Sequence, residues 1–358
     1  MNSRERFKAV MNYQSVDRKP FYEWLGFWAE TVNRWYGEGL PIGMSIWDYF
    51  DFDERENVPI DLGPIPRFIP RVVEEDSRYK VTIDDHGTKA KALKTGVSMP
   101  AYIDFPVKGR SEWEQIKKRY DPSDKRRYPM TWSKELIDYY QSLDKPVGIG
   151  LIGFFGETRR WMGLETLLRS FHKDPGLIRD MMDFWTDFQI EALSEAVESV
   201  EIDYATIWED MAYVNGPLIS PRFFREFMVP PYRKTTDFLR KNGINIIMVD
   251  TDGDHNLLTP SFIEGGVNCL YPLEVQSHMD AISMRKKYGR ELRLIANVDK
   301  KALASGPESA AKEIERIRPL IEEGGFIASV DHAVPSDVSF VNYTYYVDLL
   351  RKEVGVTS

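Results

Sequence analysis

The stretch INIIMVDTDG, residues 244–253, reads as a buried strand running into a polar turn, and its pattern organises the rest of the chain. Its apolar run carries no polar alternation, which marks a strand covered on both faces, and parallel sheets flanked by helices bury strands in that way. Five further runs share this design: PVGIGLI from Pro146, DYATIWED from Asp203, VNCLYPLE from Val267, LRLIANVD from Leu292 and GFIASVDH from Gly325. Polar loops and amphipathic helices separate them, so the repeat is one of structure rather than of sequence.

Working outward toward the N-terminus, VDRKPFYEWL (16–25) reads as a turn and a short strand. Pro20 stops the opening helix, and Phe21, Tyr22, Trp24 and Leu25 favour extended backbone. An eighth strand is expected between Ile42 and Pro66. Residues 71–107 break the pattern: RVVEEDSRYKVTIDDHGTKAKAL predicts an antiparallel ribbon turning at Asp85, His86 and Gly87. Toward the C-terminus, NYTYYVDLLRKEVG places Tyr346, Leu349 and Leu350 on one helical face. The expected fold class is α/β, a (β/α)8 TIM barrel formed by residues 1–358 as one domain, with an N-terminal helical extension and a β-hairpin insertion. A doubly wound open sheet is the rival, but no G-x-G-x-x-G turn follows any strand.

Composition narrows the function. The chain has 358 residues, 42% hydrophobic and 29% charged, enough for a large core. Its net charge of −9, without a basic block, would repel a phosphate backbone, so no nucleic-acid partner is expected. No uncharged apolar run is long enough to cross a membrane. The opening MNSRERFKAVMN, with Phe7, Val10 and Met11 at helical spacing, reads as an amphipathic helix rather than a secretory signal, so a soluble cytoplasmic protein is expected. Cys269 is the only cysteine, which excludes an intramolecular disulfide and any zinc site made of several thiolates. A small molecule is the expected partner.

In a parallel barrel the carboxyl ends of the strands form the mouth, and polar residues there face the site. Those ends carry Glu209 and Asp210, Asp250 and Asp252, Glu274, Asn297 and Asp299, and Asp331 with His332. A carboxylate after a strand also caps helices, and Asp299 and Asp254 are the best capping candidates. Several carboxylates at one mouth repel one another, so such a ring holds a cation, a proton or a cationic group. Asp252, Glu274 and His332 have the donor types of an open three-ligand metal site, with zinc the expected ion, and Asp331 is positioned to fix the tautomer of His332. His332, Asp252 and Asp210 are the candidate catalytic residues. Arg159 and Arg160, with Glu157, are candidates to clamp a substrate carboxylate, and Tyr22, Trp24, Trp28 and Trp208 to wall an aromatic pocket. DTDGDH fails as a calcium loop, because its glycine falls early and Ser261 stands where glutamate is needed.

These segments also carry a family likeness. VDRKP after the RERF helix, ISPRFFREFMVPPY, ANVDKKALASGP and DHAVPSDVSFVNYTYYVDLL resemble the uroporphyrinogen decarboxylase superfamily over nearly the whole chain. The resemblance implies a (β/α)8 barrel and an enzyme that is either a porphyrinogen decarboxylase or a zinc-dependent methyltransferase serving thiols or corrinoid proteins. Two departures stand out. Where the decarboxylases have an arginine-rich stretch, this chain reads EWLGFWAETVNRWYGEG; where the methyltransferases have His-x-Cys and a later cysteine, it has Asp250-Thr251-Asp252 and His332. The expectation is a metal-dependent, methyltransferase-like enzyme with a corrinoid protein as possible partner, monomeric or homodimeric. Metal-free decarboxylation, with Asp210 or His332 as proton donor, and a non-catalytic binding barrel are the alternatives.

Overall fold

The computed structural model describes residues 1–95 and 100–356; residues 96–99 of the expected ribbon, and 357–358, lie outside them. Helix α1 (Ser3–Met11) opens the chain, held by a capping box between Asn2 and Glu5. Strand β1 (Glu56–Val58) follows, then an antiparallel sheet of β2 (Arg71–Glu75), β3 (Tyr79–Ile83), β4 (Lys89–Leu93) and β5 (Ala101–Asp104). Next come β6 (Val147–Ile152) and β7 (Tyr204–Trp208), a two-stranded ribbon of β8 (Ala212–Tyr213) and β9 (Gly216–Pro217), and then β10 (Ile246–Asp250), β11 (Cys269–Tyr271), β12 (Arg293–Ile295) and β13 (Phe326–Ile327). The main sheet is parallel and seven-stranded, in the order β1-β6-β7-β10-β11-β12-β13.

All six repeated runs become strands of this sheet, and segment 42–66 supplies β1 after the helix Ile46–Phe50. The expected hairpin is instead a four-stranded sheet, because β2 and β5 extend the β3–β4 pair on both sides. Segment 16–25 departs from expectation more deeply, since it joins no ladder. It lies between the sheet's two edges and is held piecemeal: Phe21 O accepts from Asp53 N, Trp24 N donates to Ser329 Oγ, and Trp28 N donates to Val334 O. Isolated backbone bonds, together with the Asp53 and Ser329 side chains, replace a ladder here, and Pro20 has no N–H to offer.

The unbroken apolar runs are explained by two cores. Ala205, Ile207, Ile247 and Val249 pack outward beneath the helices. Their alternates Tyr204, Ile246 and Met248 face inward with Cys269, Tyr271, Ile295 and Ile327, and Phe7 and Met11 of α1 pack into this inner cluster. Helix α1 thus plugs the amino ends of the strands and leaves the carboxyl ends open. Among the described residues no helix is long and apolar enough to cross a membrane.

Glu23 is fully buried in the segment that spans the edges, where it accepts from Ser329 Oγ and, at 2.8 Å, from Tyr343 Oη. Burial pushes its pKa up to about 7 despite those bonds. A carboxyl group raised in the folded state stabilises fully below its unfolded pKa, and that contribution is lost as pH rises through the folded value. Between about pH 5 and about pH 8, wild-type protein is therefore expected to lose on the order of 3 kcal/mol more stability than Glu23→Gln does. Urea titrations of both proteins at the two pH values check this; parallel losses would remove Glu23 as a titrating group.

Candidate active site

At the end of β7 two adjacent acids part company. Glu209 is fully buried and accepts from the backbone N–H groups of Phe154 (3.0 Å) and Gly156 (2.8 Å) and from Tyr232 Oη. It ties the start of helix Phe154–Met162 to β7, and burial pushes its pKa up to about 7. A Cβ at Gly153 would stand 2.1 Å from the Glu209 carboxyl carbon, so only glycine fits there. Asp210 adopts a left-handed backbone (φ 50°), which turns the chain and leaves its carboxyl group among those of the next strand. Its pKa is raised by burial and then by Asp252.

Asp250, Asp252 and His332 complete the cluster. His332 Nε2 stands 3.5 Å from Asp252 Oδ1, and this contact, more than any other, raises the imidazole pKa. Asp250 is pushed up to about 7, first by burial and then by repulsion from Asp252 and Asp210, with His332 and Arg55 opposing. Asp250 thus holds its proton to higher pH than a free carboxyl group, beside an imidazole that its contact with Asp252 keeps charged to higher pH. The Trp28 ring, 48% exposed, stacks on His332 with centroids 6.0 Å apart.

Below this rim lies a cavity of about 360 Å³, lined by Arg55, Asn57, Gly150, Tyr204, Thr206 and Tyr271 among others. The guanidinium of Arg55 lies 3.8 Å above the centre of the Trp24 ring. A Cβ at Gly148 would come within 2.4 Å of Tyr204, so the glycines of β6 keep this side of the lumen open.

The other expected site residues spread around this centre. Arg159 donates to Asp210 O at 2.6 Å and lies 5.8 Å from the Trp208 ring centre, and Arg160 lies 5.2 Å from the same ring while binding Glu157 at 2.9 Å. Trp208 therefore belongs to the mouth, as does Trp28. Tyr22 and Trp24 do not wall an open pocket: each is only 2% exposed and packs on Phe7 in the inner core, because α1 fills the space below them. Asp299 caps the helix Lys300–Ser305 as expected, whereas Asp254 accepts from Asn256 N in a turn and caps no helix.

Asp331 does not orient His332. It is fully buried and accepts from Val275 N (2.9 Å) and Lys300 N (3.2 Å). The Lys300 ammonium lies 3.2 Å from Glu274 and 3.3 Å from Asp331, and Glu274 also accepts from Gly253 N. Asp252, Glu274 and His332 therefore do not fit a divalent ion in this arrangement: Glu274 is matched to an ammonium, and among the described residues no three His, Cys, Asp or Glu side chains form a metal-holding group. Cys269 supplies no thiolate either, since complete burial pushes its pKa up to about 12.

Sequence reasoning missed Arg55 and Lys300 and gave Asp250 no role. Arg55 lies next to a three-residue strand too short to show a pattern, and Lys300 was hidden by its place in the first turn of a helix.

The rim combines carboxyl groups and an imidazole, which can move protons, with guanidinium groups, which can hold an anion. A methyltransferase from Methanosarcina mazei shares the fold over 99% of both chains at 15% identity and a TM-score of 0.65. A B12-independent methionine synthase from Shewanella sp. W3-18-1, solved with selenomethionine, covers 84% of this chain and 78% of its own at 10% identity, but its TM-score of 0.39 is too low to support an argument. No curated protein matches the sequence. The family model for uroporphyrinogen decarboxylase (URO-D) matches residues 90–353, most of the chain and all the strands that carry the acid cluster, so the protein belongs to the URO-D family.

Proposed function

We propose that this URO-D family protein is an acid–base enzyme that decarboxylates a small carboxylic acid without a metal. The reading rests above all on Asp210, Asp250, Asp252 and His332 sharing one rim over a lumen that holds Arg55. Arg55 and Arg159 hold the substrate, and its reacting carboxylate lies toward the acids, whose charge disfavours it and favours its loss as neutral CO2. The C–C bond breaks, its electron pair stays on the substrate carbon, and a proton from Asp250 or His332 forms the new C–H bond; water reprotonates the donor. The fold is read as a single (β/α)8 barrel in which Phe21–Leu25 stands as the eighth stave, α1 is the N-terminal extension and residues 71–107 are the insertion.

A second reading, methyl transfer to a thiol or a corrinoid protein with zinc at Asp252, Glu274 and His332, draws support from the full-length fold likeness to a methyltransferase. It would need Lys300 to leave Glu274.

The two readings part in one set of measurements. Full-length protein is incubated in deuterated water with a panel of small mono- and dicarboxylic acids while CO2 is recorded. Release of CO2 with one solvent deuterium in the product, slowed in Asp250→Asn, is expected. In parallel, calorimetric titration with zinc is expected to give no stoichiometric binding. Stoichiometric zinc that His332→Ala abolishes, without CO2 release from any acid, would replace the first reading with the second.

A further inference from the structure

The inserted antiparallel sheet has no part in the chemistry above, yet its central turn returns to the barrel. Asp84 Oδ1 accepts from His86 N (3.0 Å) and Thr88 N (2.8 Å), which fixes the turn between β3 and β4. Gly87, at φ 87°, packs against the Phe68 ring, and Phe68 N donates to Asp85 O at 2.9 Å. The turn is thereby locked beside Arg67, whose Nη1 stands 3.4 Å from His86 Nε2. A Cβ at Gly63 would fall 1.8 Å from that same Nη1, so glycine is required for the guanidinium to lie where it does.

Arg67, His86 and Arg160 line a cavity of about 310 Å³ together with Asp61 and the strand residues Gly150, Leu151 and Ile152, among others. That is space for about ten water molecules at ~30 Å³ each. Asp61 is the one acid on the wall, and it is already matched, accepting from Arg67 at 2.7 Å and from Gly63 N at 2.8 Å. Arg160 spends one Nη on Glu157 and makes no other hydrogen bond among the described residues. His86 Nδ1 is buried without a hydrogen-bond partner. This cavity and the lumen share Ile60 and Gly150, so the two spaces adjoin.

We infer that Arg67, Arg160 and His86 form a second, anion-binding subsite, which receives a terminal oxyanion of the substrate (carboxylate, sulfonate or phosphate) while its reacting end lies under the acid cluster. Arg160 presents a planar pair of N–H donors suited to an oxyanion, Arg67, held by Asp61 and Asp85, adds a second guanidinium charge, and a buried imidazole nitrogen adds a further polar contact. The adjoining lumen gives the substrate a length: an elongated molecule with an anionic group at each end. The assignment of the reacting end rests on the decarboxylase reading; the subsite itself does not.

Calorimetric titration of the full-length protein with inorganic phosphate, sulfate and acetate tests this. At least one probe is expected to bind saturably, and the tightest identifies the terminal group. That binding is expected to weaken roughly tenfold or more in Arg67→Met and in Arg160→Met, and measurably in His86→Gln. Because Arg67 also anchors Asp61, circular dichroism checks each variant, and His86→Gln decides the matter if Arg67→Met fails to fold. No saturable binding of any probe, or unchanged affinity in folded Arg160→Met and His86→Gln, would overturn the subsite. No turnover is needed, so its failure beside CO2 release would leave the decarboxylase reading standing, and binding without any CO2 release would do the opposite.

Discussion

Replacing His332 with alanine is expected to lower kcat by about 10²–10⁴-fold while changing KM little, the range for removing a positioned general acid or base. The imidazole is held from two sides, by the Asp252 carboxylate at 3.5 Å and by the stacked Trp28 ring. Asp252 contributes most to raising its pKa, so His332 carries its proton to higher pH than a free histidine. Activity that depends on this proton is full at low pH and falls as pH rises through the raised value. Asp252→Asn is therefore expected to move that limb of the rate profile to lower pH and to leave the other limb in place. Steady-state CO2 release across pH measures both effects. A His332→Ala enzyme with nearly wild-type kcat, or an unmoved limb in Asp252→Asn, would take the imidazole out of the proton-transfer step.

Trp24→Ala is expected to destabilise the protein by about 3–5 kcal/mol, the usual cost of emptying a tryptophan site in a packed core. The ring stacks on Phe7 at 6.2 Å, meets Tyr22 and Tyr271 edge-on at 5.6 and 6.0 Å, and lies 5.9 Å from Tyr204, all within the inner cluster. It is also the platform beneath Arg55, so the surviving protein should show a raised KM as that guanidinium loses its fixed position. Trp24→Phe, which keeps an aromatic face, should recover most of both losses. Guanidinium denaturation and substrate titration read the two effects separately. A cost below about 1 kcal/mol would mean that the inner cluster is not a packed core.

The strands were legible because burial on two faces leaves a mark that needs no tertiary information. Apolar runs such as IIMV and YATIW cannot alternate with polar residues when both sides are covered, and those runs became β10 and β7. Segment 16–25 had the composition of a strand but not its bonding, since composition records a residue's preference for extended backbone and not the availability of a partner edge. Acids at strand ends were equally visible, but their duties were not. Glu209 and Asp210 are neighbours in sequence, yet one caps a helix from within the core and the other faces the mouth, a split made by the left-handed backbone at Asp210.

By itself the sequence determined six of the seven strands of the parallel sheet and the stretch that holds the seventh, which end of the sheet bears the acids, and, through its motifs, the family. It did so because strand burial and strand-end polarity are local properties, written within a few residues of where they act. Only the tertiary structure decided that Asp252 rather than Asp331 holds His332, that Lys300 matches Glu274, and that Arg55 and His86 line two adjoining cavities. Those pairings join side chains tens to hundreds of residues apart, and an electrostatic partner is chosen by distance and burial in space, on which spacing along the chain is silent.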